Sequence, residues 1–253
     1  MIDTTYFGLP WQLLVILLKK LEIVKLIILG LNKTTLLDYP EKIAATIFTG
    51  GCNFRCPYCH NSQLIVPPFD GKSISVKEVF DFLNKRKNIL QGVCISGGEP
   101  TIQNDLPEFI GKIKDMGYLV KLDTNGTNPQ MLSMLIQDGF VDYVAMDIKN
   151  SKCKYEQTAQ CTQNDIELID QSISILKTSN IDYEFRTTIV KELHSKEDIS
   201  KIYNWIKGSK AWYLQSYKES ENVMNKIFSS YNEDEIKNIL DMINDSNVYE
   251  RKS

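Results

Sequence analysis

The sequence has little histidine and little cysteine, and its charges nearly balance. Only two histidines, His60 and His194, and six cysteines occur among 253 residues, and the net charge is −3. Six cysteines are too few for a disulfide scaffold in a chain of this length, and we interpret Cys94, Cys153 and Cys161 as thiols in a reducing cytoplasm. A nearly neutral chain without a basic tail has no general attraction for nucleic acid or for an anionic membrane. Two histidines also give little support to a cysteine–histidine nucleophilic pair.

The longest apolar run lies near the amino terminus and is interrupted by charge. Leucine, isoleucine and valine dominate residues 13–31, but four charged residues occur there: Lys19, Lys20, Glu22 and Lys25. Each central charge costs about 3 kcal/mol on insertion into a membrane, whereas each leucine or isoleucine returns only about 0.5 kcal/mol. Stable membrane insertion is therefore not expected. A signal peptide also fits poorly, because no Lys or Arg precedes the run and no small-residue cleavage site follows it.

We therefore expect residues 1–24 to form an apolar extension ahead of a single domain at residues 25–253. Two alternatives for the extension stay open at this point. It is a segment anchored at a membrane surface, which needs an apolar helix face, or it results from a start codon chosen too far upstream.

From residue 25 onward, apolar β-branched runs alternate with segments of helical periodicity. One strand is predicted at residues 25–29. Six further strands are predicted at residues 43–48, 93–96, 118–123, 143–147, 183–189 and 212–214. Six helices are predicted at residues 76–86, 106–116, 129–137, 165–178, 196–207 and 233–243. This alternation predicts an α/β fold with parallel strands covered by helices. Because eight such units close a barrel, six predict a partial (β/α)6 barrel that is open on one side.

Three of the six cysteines lie in one short loop after the predicted strand at 43–48. Cys52, Cys56 and Cys59 have the spacing C-x3-C-x2-C. Three thiolates can hold three corners of an iron–sulfur cubane and leave its fourth iron without a protein ligand. A zinc site that includes His60 is the alternative. It is less favoured because structural zinc usually draws two well-separated ligand pairs, whereas these candidates occupy nine consecutive residues.

Polar segments follow the predicted parallel strands one after another. They begin with the cysteine loop and continue at residues 96–100, 124–126, 147–149, 186–188 and 215–216. In a β/α barrel the carboxyl ends of the strands share one face, and active sites lie there. Gly97 and Gly98 would let the backbone approach a ligand closely, although an ordinary strand-to-helix turn has the same pattern. The sequence therefore predicts a site at the carboxyl-terminal mouth of the barrel.

The cysteine triplet together with Gly97-Gly98-Glu99-Pro100 resembles the radical S-adenosylmethionine superfamily. Within that superfamily, three segments resemble the glycyl-radical-enzyme activases: Cys56-Pro57-Tyr58-Cys59-His60-Asn61, Leu122-Asp123-Thr124-Asn125-Gly126 and Met146-Asp147-Ile148-Lys149. Two others are most similar to the anaerobic ribonucleoside-triphosphate reductase activating proteins: Thr35-Leu36-Leu37-Asp38-Tyr39-Pro40 and Glu184-Phe185-Arg186-Thr187-Thr188. The resemblance covers about residues 26–215.

The resemblance implies one [4Fe–4S] cluster, held by Cys52, Cys56 and Cys59, whose open iron binds the methionine end of S-adenosylmethionine. It implies that reductive cleavage of this cofactor gives a 5′-deoxyadenosyl radical, which takes a hydrogen atom from a glycine Cα of a partner protein. The implied partner is a glycyl radical enzyme, and the implied electron donor is of the flavodoxin or ferredoxin type. Because the cofactors carry this chemistry, no general base is required.

The resemblance also implies roles on the adenine and amino sides of the cofactor. Tyr58 and His60 would line the adenine through their planar groups. Gly97 and Gly98 would present backbone groups to the methionine amino group, and Glu99 would fix that turn.

Further implied roles concern the carboxylate side of the cofactor. Asp123, Thr124 and Asp147 match positions that hold a monovalent cation near the cofactor carboxylate, and Asn125 belongs to the same cofactor-binding loop. Oxygen atoms are the ligands that a hard cation prefers. For each of these residues alone, a solvated turn is the competing interpretation.

Three residues complete the implied cofactor site. Asp147 and Lys149 would contact the cofactor or the incoming glycine loop, and Arg186 would pair with a carboxylate through its planar fork. Gln215 stands where some activases have a histidine, which puts its cofactor contact in doubt. Residues 152–164, with Cys153 and Cys161, are predicted as a polar loop beside the mouth and match no segment of the family.

Several functional alternatives stay open at the level of sequence. The first is an activase of another glycyl radical enzyme, such as formate acetyltransferase. The second is a small radical S-adenosylmethionine enzyme that modifies a small molecule or RNA, although a neutral composition argues against RNA. The third is a non-enzymatic domain stabilised by zinc.

Overall fold

The computed structural model describes residues 26–67, 69, 73–220, 223 and 227–251. The predicted apolar extension at residues 1–24 lies outside this part of the chain. Within it, no helix is both long enough and apolar enough to cross a lipid bilayer.

Eight strands form one sheet in the described residues, in the same order as along the sequence. They are β1 (Ile28–Thr35), β2 (Ala44–Thr49), β3 (Gly92–Gly97), β4 (Leu119–Thr124), β5 (Tyr143–Asp147), β6 (Asp182–Ile189), β7 (Trp212–Ser216) and β8 (Val248–Arg251). β1 pairs with β2 in the antiparallel sense, and each later pair is parallel. β1 and β8 are the two edges of the sheet, so the barrel is not closed.

Helices connect the parallel strands on the outside of the sheet. Those described are α1 (Val76–Arg86), α2 (Leu106–Asp115), α3 (Pro129–Gln137), α4 (Lys152–Ala159), α5 (Gln163–Thr178), α6 (Lys196–Ile206) and α7 (Glu233–Ile243). Their starts follow capping chemistry. Thr162, Ser195 and Asn232 each form a capping box at the beginning of α5, α6 and α7, which satisfies backbone N–H groups that have no partner inside the helix.

The two faces of the sheet differ in polarity, as β4 illustrates. Val120 and Leu122 are fully buried in the apolar layer between the sheet and the helices. Between them, Lys121 is also buried, and its ammonium pairs with Asp123 inside the barrel. Alternate residues of a strand point to opposite faces. The barrel interior is therefore lined with charge while the outer face holds the apolar core.

The predicted partial (β/α)6 barrel is confirmed, with three differences in detail. The first strand lies at Ile28–Thr35 instead of residues 25–29, because its polar second half is exposed at the sheet edge. Residues 152–159, predicted as loop, form α4, although Cys161 does lie outside a helix. A last short strand, β8, extends the sheet by one parallel pairing that four residues of sequence do not signal.

Candidate active site at the barrel mouth

A cavity of about 260 Å³ lies at the carboxyl ends of the parallel strands. All residues predicted for the cluster and the cofactor border it: Cys52, Cys56, Tyr58, Cys59, His60, Gly97, Gly98, Glu99, Asp123, Thr124, Asn125, Asp147, Lys149, Arg186 and Gln215. The parallel register explains this convergence, because polar segments that follow neighbouring strands end at one edge of the sheet.

The cysteine loop is held in place by backbone hydrogen bonds. The N–H groups of Gly51 and Cys52 donate to the carbonyls of Leu64 and Ile65, at 2.7 and 3.1 Å. Cys56 is buried, whereas Cys52 and Cys59 are half-buried. Burial raises the pKa of Cys52 to about 11 and that of Cys56 to about 12. These thiols therefore keep their protons at neutral pH until a metal displaces them.

The end of β3 packs directly on this loop through two glycines. Gly97 has a φ of 118°, which side-chain-bearing residues rarely adopt. A Cβ on Gly98 would overlap the carbonyl oxygen of Gly51. The same carbonyl accepts from the Glu99 N–H at 2.8 Å. Glycine is thus required for the backbone to come this close to the cysteine loop.

Glu99 fixes the turn after these glycines. Its side chain is almost completely buried, at 1% exposure. One carboxylate oxygen accepts from the backbone N–H and the hydroxyl of Thr101 and from the hydroxyl of Thr124, and the other accepts from the Asn125 N–H at 2.6 Å. Burial raises the pKa of Glu99, and these hydrogen bonds oppose the rise. The amide of Asn125 continues the network to the cysteine loop by donating to Asn53 at 2.8 Å.

Alternating charges cross the floor of the cavity. Arg186 donates from Nε to Asp147 at 2.9 Å and from its terminal nitrogen to Asp123 at 3.2 Å. Lys149 donates to the second oxygen of Asp147 at 2.9 Å, and Lys121 pairs with Asp123. Burial alone would raise the pKa of both carboxyl groups, but Arg186 and the lysines outweigh it and hold each pKa below its usual range. Both carboxylates are therefore ionised.

The rings of Tyr58 and His60 and the amide of Gln215 also border the cavity. Tyr58 is buried and donates its hydroxyl to the Lys149 carbonyl at 3.4 Å. His60 lies at the exposed rim, with Nε2 2.6 Å from the Lys218 carbonyl and its ring stacked on Tyr217 at a centroid distance of 5.7 Å. Gln215 borders the cavity from near the end of β7.

Five cavity residues were not assigned from the sequence: Phe54, Asn61, Ile65, Ser96 and Thr188. Ser96 donates to Asp123 at 3.0 Å, and Thr188 lies two residues beyond Arg186 in β6. Strand alternation could have identified both, because residues two apart share a face. Ile65 follows a short 3-10 turn, for which the sequence has no periodic signal.

The three thiols fit an iron–sulfur ligand set. All are free and border one cavity. In the described part of the chain, no three His, Cys, Asp or Glu side chains are placed to hold a single metal ion. In a cubane each cysteine binds a different iron, so its thiols do not converge on one point as zinc ligands do.

Comparison with known proteins supports the resemblance to the radical S-adenosylmethionine superfamily. Residues 46–206 match the family model of the radical SAM superfamily. The chain is 35% identical over 204 residues to "Putative glycyl-radical enzyme activating enzyme MJ1227" of Methanocaldococcus jannaschii, covering 78% of this chain and 82% of that protein. A second protein of that organism with the same description, MJ1632, is 30% identical over 64% of this chain and 62% of its own length.

Solved structures agree in fold. TYW1 with a lysine–pyruvate adduct bound superimposes with a TM-score of 0.60 at 15% identity, over 95% of this chain and 91% of that one. Streptococcus suis SuiB bound to S-adenosylmethionine also gives 0.60 at 15% identity, over 80% of this chain and 48% of that one. The family match and the 35% identical relative show that this chain is an enzyme of the radical S-adenosylmethionine superfamily, whose members use a [4Fe–4S] cluster and S-adenosylmethionine.

Proposed function

We propose that this protein is an activase that installs a glycyl radical on anaerobic ribonucleoside-triphosphate reductase. The observation that carries the proposal is the single cavity on which three free thiols, the β3 glycines and the Asp147–Lys149–Arg186 charge cluster converge. Relatives named as activating enzymes support a protein substrate. Residues 35–40 and 184–188, which resemble that branch, support the reductase as the target.

Each wall of the cavity has a proposed task. The cysteines hold the cluster, and the backbone at Gly97 and Gly98 meets the amino group of the cofactor. Lys149 and Arg186 carry the positive charge that suits its carboxylate. Tyr58 and His60 border the adenine, and Gln215 also borders the cofactor cavity. The bound cluster and cofactor supply the one-electron chemistry, while the chain orients them and excludes water.

A monovalent cation near the cofactor carboxylate stays a prediction. The carboxylate oxygens of Asp123 and Asp147 already accept from Arg186, Lys121 and Lys149, and the Thr124 hydroxyl donates to Glu99. A cation at this place has to compete with the guanidinium that lies between the two carboxylates, because both supply the same charge.

The electron donor and the route of the partner's glycine loop are also part of the proposal, and both rest on the resemblance to the activases. A flavodoxin or ferredoxin in the cytoplasm supplies the electron, and the unclosed side of the barrel admits the glycine loop of the partner. Residues 25–253 form the domain that carries this chemistry in the proposal.

The test is an anaerobic reconstitution. The protein, a chemical reductant and S-adenosylmethionine are mixed with anaerobic ribonucleoside-triphosphate reductase or, separately, with formate acetyltransferase from the same cells. We expect the electron paramagnetic resonance doublet of a glycyl radical with the reductase. If the doublet appears only with formate acetyltransferase, the protein is still an activase, but formate acetyltransferase is its target in place of the reductase. If the cofactor is cleaved but neither partner shows the doublet, the activase proposal is contradicted.

A matched pair of cysteine variants controls this test. Cys56→Ala removes a proposed cluster ligand and should abolish both bound iron and cofactor cleavage. Cys153→Ala changes an exposed cysteine of α4 that does not border the cavity, and both properties should persist. Iron and sulfide analysis accompanies both variants, since zinc without sulfide in the unchanged protein contradicts a cluster.

A further inference from the structure

The segment that follows β5 is polar and yet buried. Ile148 and Asn150 are fully buried, and Ser151 is 1% exposed. Buried backbone N–H and C=O groups need hydrogen-bond partners, and outside helices and strands many of these partners are side chains. Most irregular segments avoid this cost by running over the surface. This one connects Asp147 and Lys149, whose side chains border the cavity, to the beginning of α4.

Side chains from α4 and from the loop before α6 satisfy the backbone of Lys149. Its N–H donates to the hydroxyl of Tyr155 at 3.1 Å. Its carbonyl accepts from Nε2 of His194 at 2.7 Å and, at the longer distance of 3.4 Å, from the Tyr58 hydroxyl. The Tyr155 hydroxyl also lies 3.4 Å from the Asp147 carbonyl, to which it donates. Both polar groups of this one peptide residue are therefore held by side chains, and neither depends on the sheet.

Tyr155 and His194 are themselves held firmly. Both are fully buried. The tyrosine ring packs edge-on against Phe54 and Trp205, at centroid distances of 6.2 and 5.9 Å. Nδ1 of His194 lies 3.1 Å from the Val190 nitrogen, whose N–H it accepts, and Nε2 therefore carries the hydrogen that is donated to Lys149.

The helix that supplies Tyr155 also holds the cysteine loop. The carbonyl of Ala159, at the end of α4, accepts from the Arg55 N–H at 2.9 Å. Phe54 of that loop contacts the Tyr155 ring. The cysteine loop and the Lys149 segment are thus both attached to one short helix, which fixes the distance between them.

We propose that Tyr155 and His194 are positioning residues for the cofactor. They clamp the two backbone groups of Lys149 and thereby hold the side chains of Asp147 and Lys149 at a set place relative to the cysteine loop. Neither residue borders the cavity, so they act through the segment that they hold. This inference rests on the cofactor site proposed above but not on the identity of the partner protein.

The first test is Tyr155→Phe in the reconstituted holoenzyme, because it removes the hydroxyl and keeps the ring. We expect iron and sulfide content to be unchanged and the dissociation constant for S-adenosylmethionine, measured by calorimetry, to rise about tenfold, as is typical when an outer partner of a bound group is lost. Tyr203→Phe is the matched control. It removes a hydroxyl that donates to Asp245 at 2.8 Å, and Tyr203 does not border the cavity. It should leave the dissociation constant unchanged.

The second test compares two replacements of His194. Glutamine retains an N–H near the position of Nε2, whereas leucine does not. We expect His194→Leu to weaken cofactor binding and His194→Gln to recover part of it. The electron paramagnetic resonance spectrum of the reduced cluster is recorded for the same samples. Without cofactor, the spectrum of each His194 variant should match that of the unchanged protein. With cofactor added, the two spectra should differ.

The outcomes separate the clamp from the site that it serves. If the unchanged protein binds the cofactor and Tyr155→Phe binds it equally well, the clamp is wrong and the proposed site stands. If Tyr203→Phe weakens binding as much as Tyr155→Phe, the effect is general loss of stability and the clamp is again wrong. If the unchanged, cluster-loaded protein does not bind S-adenosylmethionine, the proposed site and the clamp both fail.

Discussion

Gly98 shows how a single missing side chain determines the cofactor cavity. A Cβ there would overlap the carbonyl of Gly51, so Gly98→Ala must push the end of β3 away from the cysteine loop. We expect this variant to bind S-adenosylmethionine at least about tenfold more weakly, since backbone placement near a bound group controls affinity to this degree. Calorimetric titration of the cluster-loaded protein measures it.

A second glycine gives the control for this substitution. Gly111 lies inside α2, and a Cβ there would come no closer than 3.6 Å to the Phe140 ring. Gly111→Ala should leave cofactor affinity unchanged and slightly stabilise the helix. Equal affinity of Gly98→Ala and the unchanged protein would show that the close approach of the two backbones is unimportant for binding.

Arg186 makes the stability of the barrel depend on pH. It lowers the pKa of Asp123 and Asp147 against the effect of burial. Carboxyl groups with lowered pKa values stabilise the fold above their unfolded pKa of about 4, and this contribution is lost as the pH falls through the folded values. Arg186→Gln leaves two partly buried carboxylates undercompensated and should cost about 3 kcal/mol at pH 7.

The pH profile distinguishes this electrostatic effect from simple loss of packing. Denaturant unfolding at several pH values should show the deficit of Arg186→Gln shrinking as the pH falls below about 4, because protonation of Asp123 and Asp147 removes the uncompensated charge. A deficit that is constant over this range contradicts the charge argument. Arg86→Gln, at the end of α1, serves as the control and should show little deficit at any pH.

At the scale of elements, α4 connects the cysteine loop to the end of β5, and its end is strained. Gln160, which ends the helix, has a φ of 51°. Left-handed backbone disfavours a side chain, so Gln160→Gly should stabilise the protein by about 0.5 kcal/mol. Gln157→Gly, in the same helix and also exposed, should destabilise it by about 1 kcal/mol. Urea unfolding measures both, and effects of the same sign would contradict the assigned end of α4.

At the scale of the whole molecule, the parallel core was predictable and its additions were not. Strong β-branched and helical periodicity marks β2 to β7 and the long helices. By contrast, β1 carries Asn32 and Lys33 in its exposed half, and β8 is too short for a pattern. Residues 152–159 of the loop predicted at 152–164 form a helix. Its buried Tyr155 packs against Phe54 and Trp205, and periodicity cannot register such contacts.

The residues of the candidate site also fall into those that could be predicted from the sequence and those that could not. Residues that directly follow strands were predictable, because parallel strands bring their ends to one face. Tyr155 and His194 were not assigned any role, since their contacts to Lys149 depend on tertiary packing. His194 meets the Lys149 carbonyl across 45 positions of sequence. Lys121 could have been recognised as unusual from its place in an apolar strand, where a charge needs a buried partner.

The last strand is attached to the barrel by a buried ion pair. Arg251 of β8 donates two hydrogen bonds to Glu184 of β6, at 2.6 and 2.7 Å, and the Glu184 carboxylate is completely buried. Tyr143 also donates to this carboxylate, at 2.8 Å. The open edge of the barrel is therefore tied to its charged interior, and β8 does not depend on its short pairing with β7 alone.

Removing this arginine should destabilise the whole barrel. Arg251→Gln leaves a buried carboxylate without its cation and should cost about 3 kcal/mol in the free energy of unfolding. Arg251→Lys should recover only part of the lost stability, because an ammonium group cannot replace the bidentate contact of the guanidinium. Lys210→Gln, which breaks an exposed pair with Asp182, should change stability by less than about 1 kcal/mol. If Arg251→Gln is as mild as Lys210→Gln in urea unfolding, the pair does not hold the edge strand to the barrel.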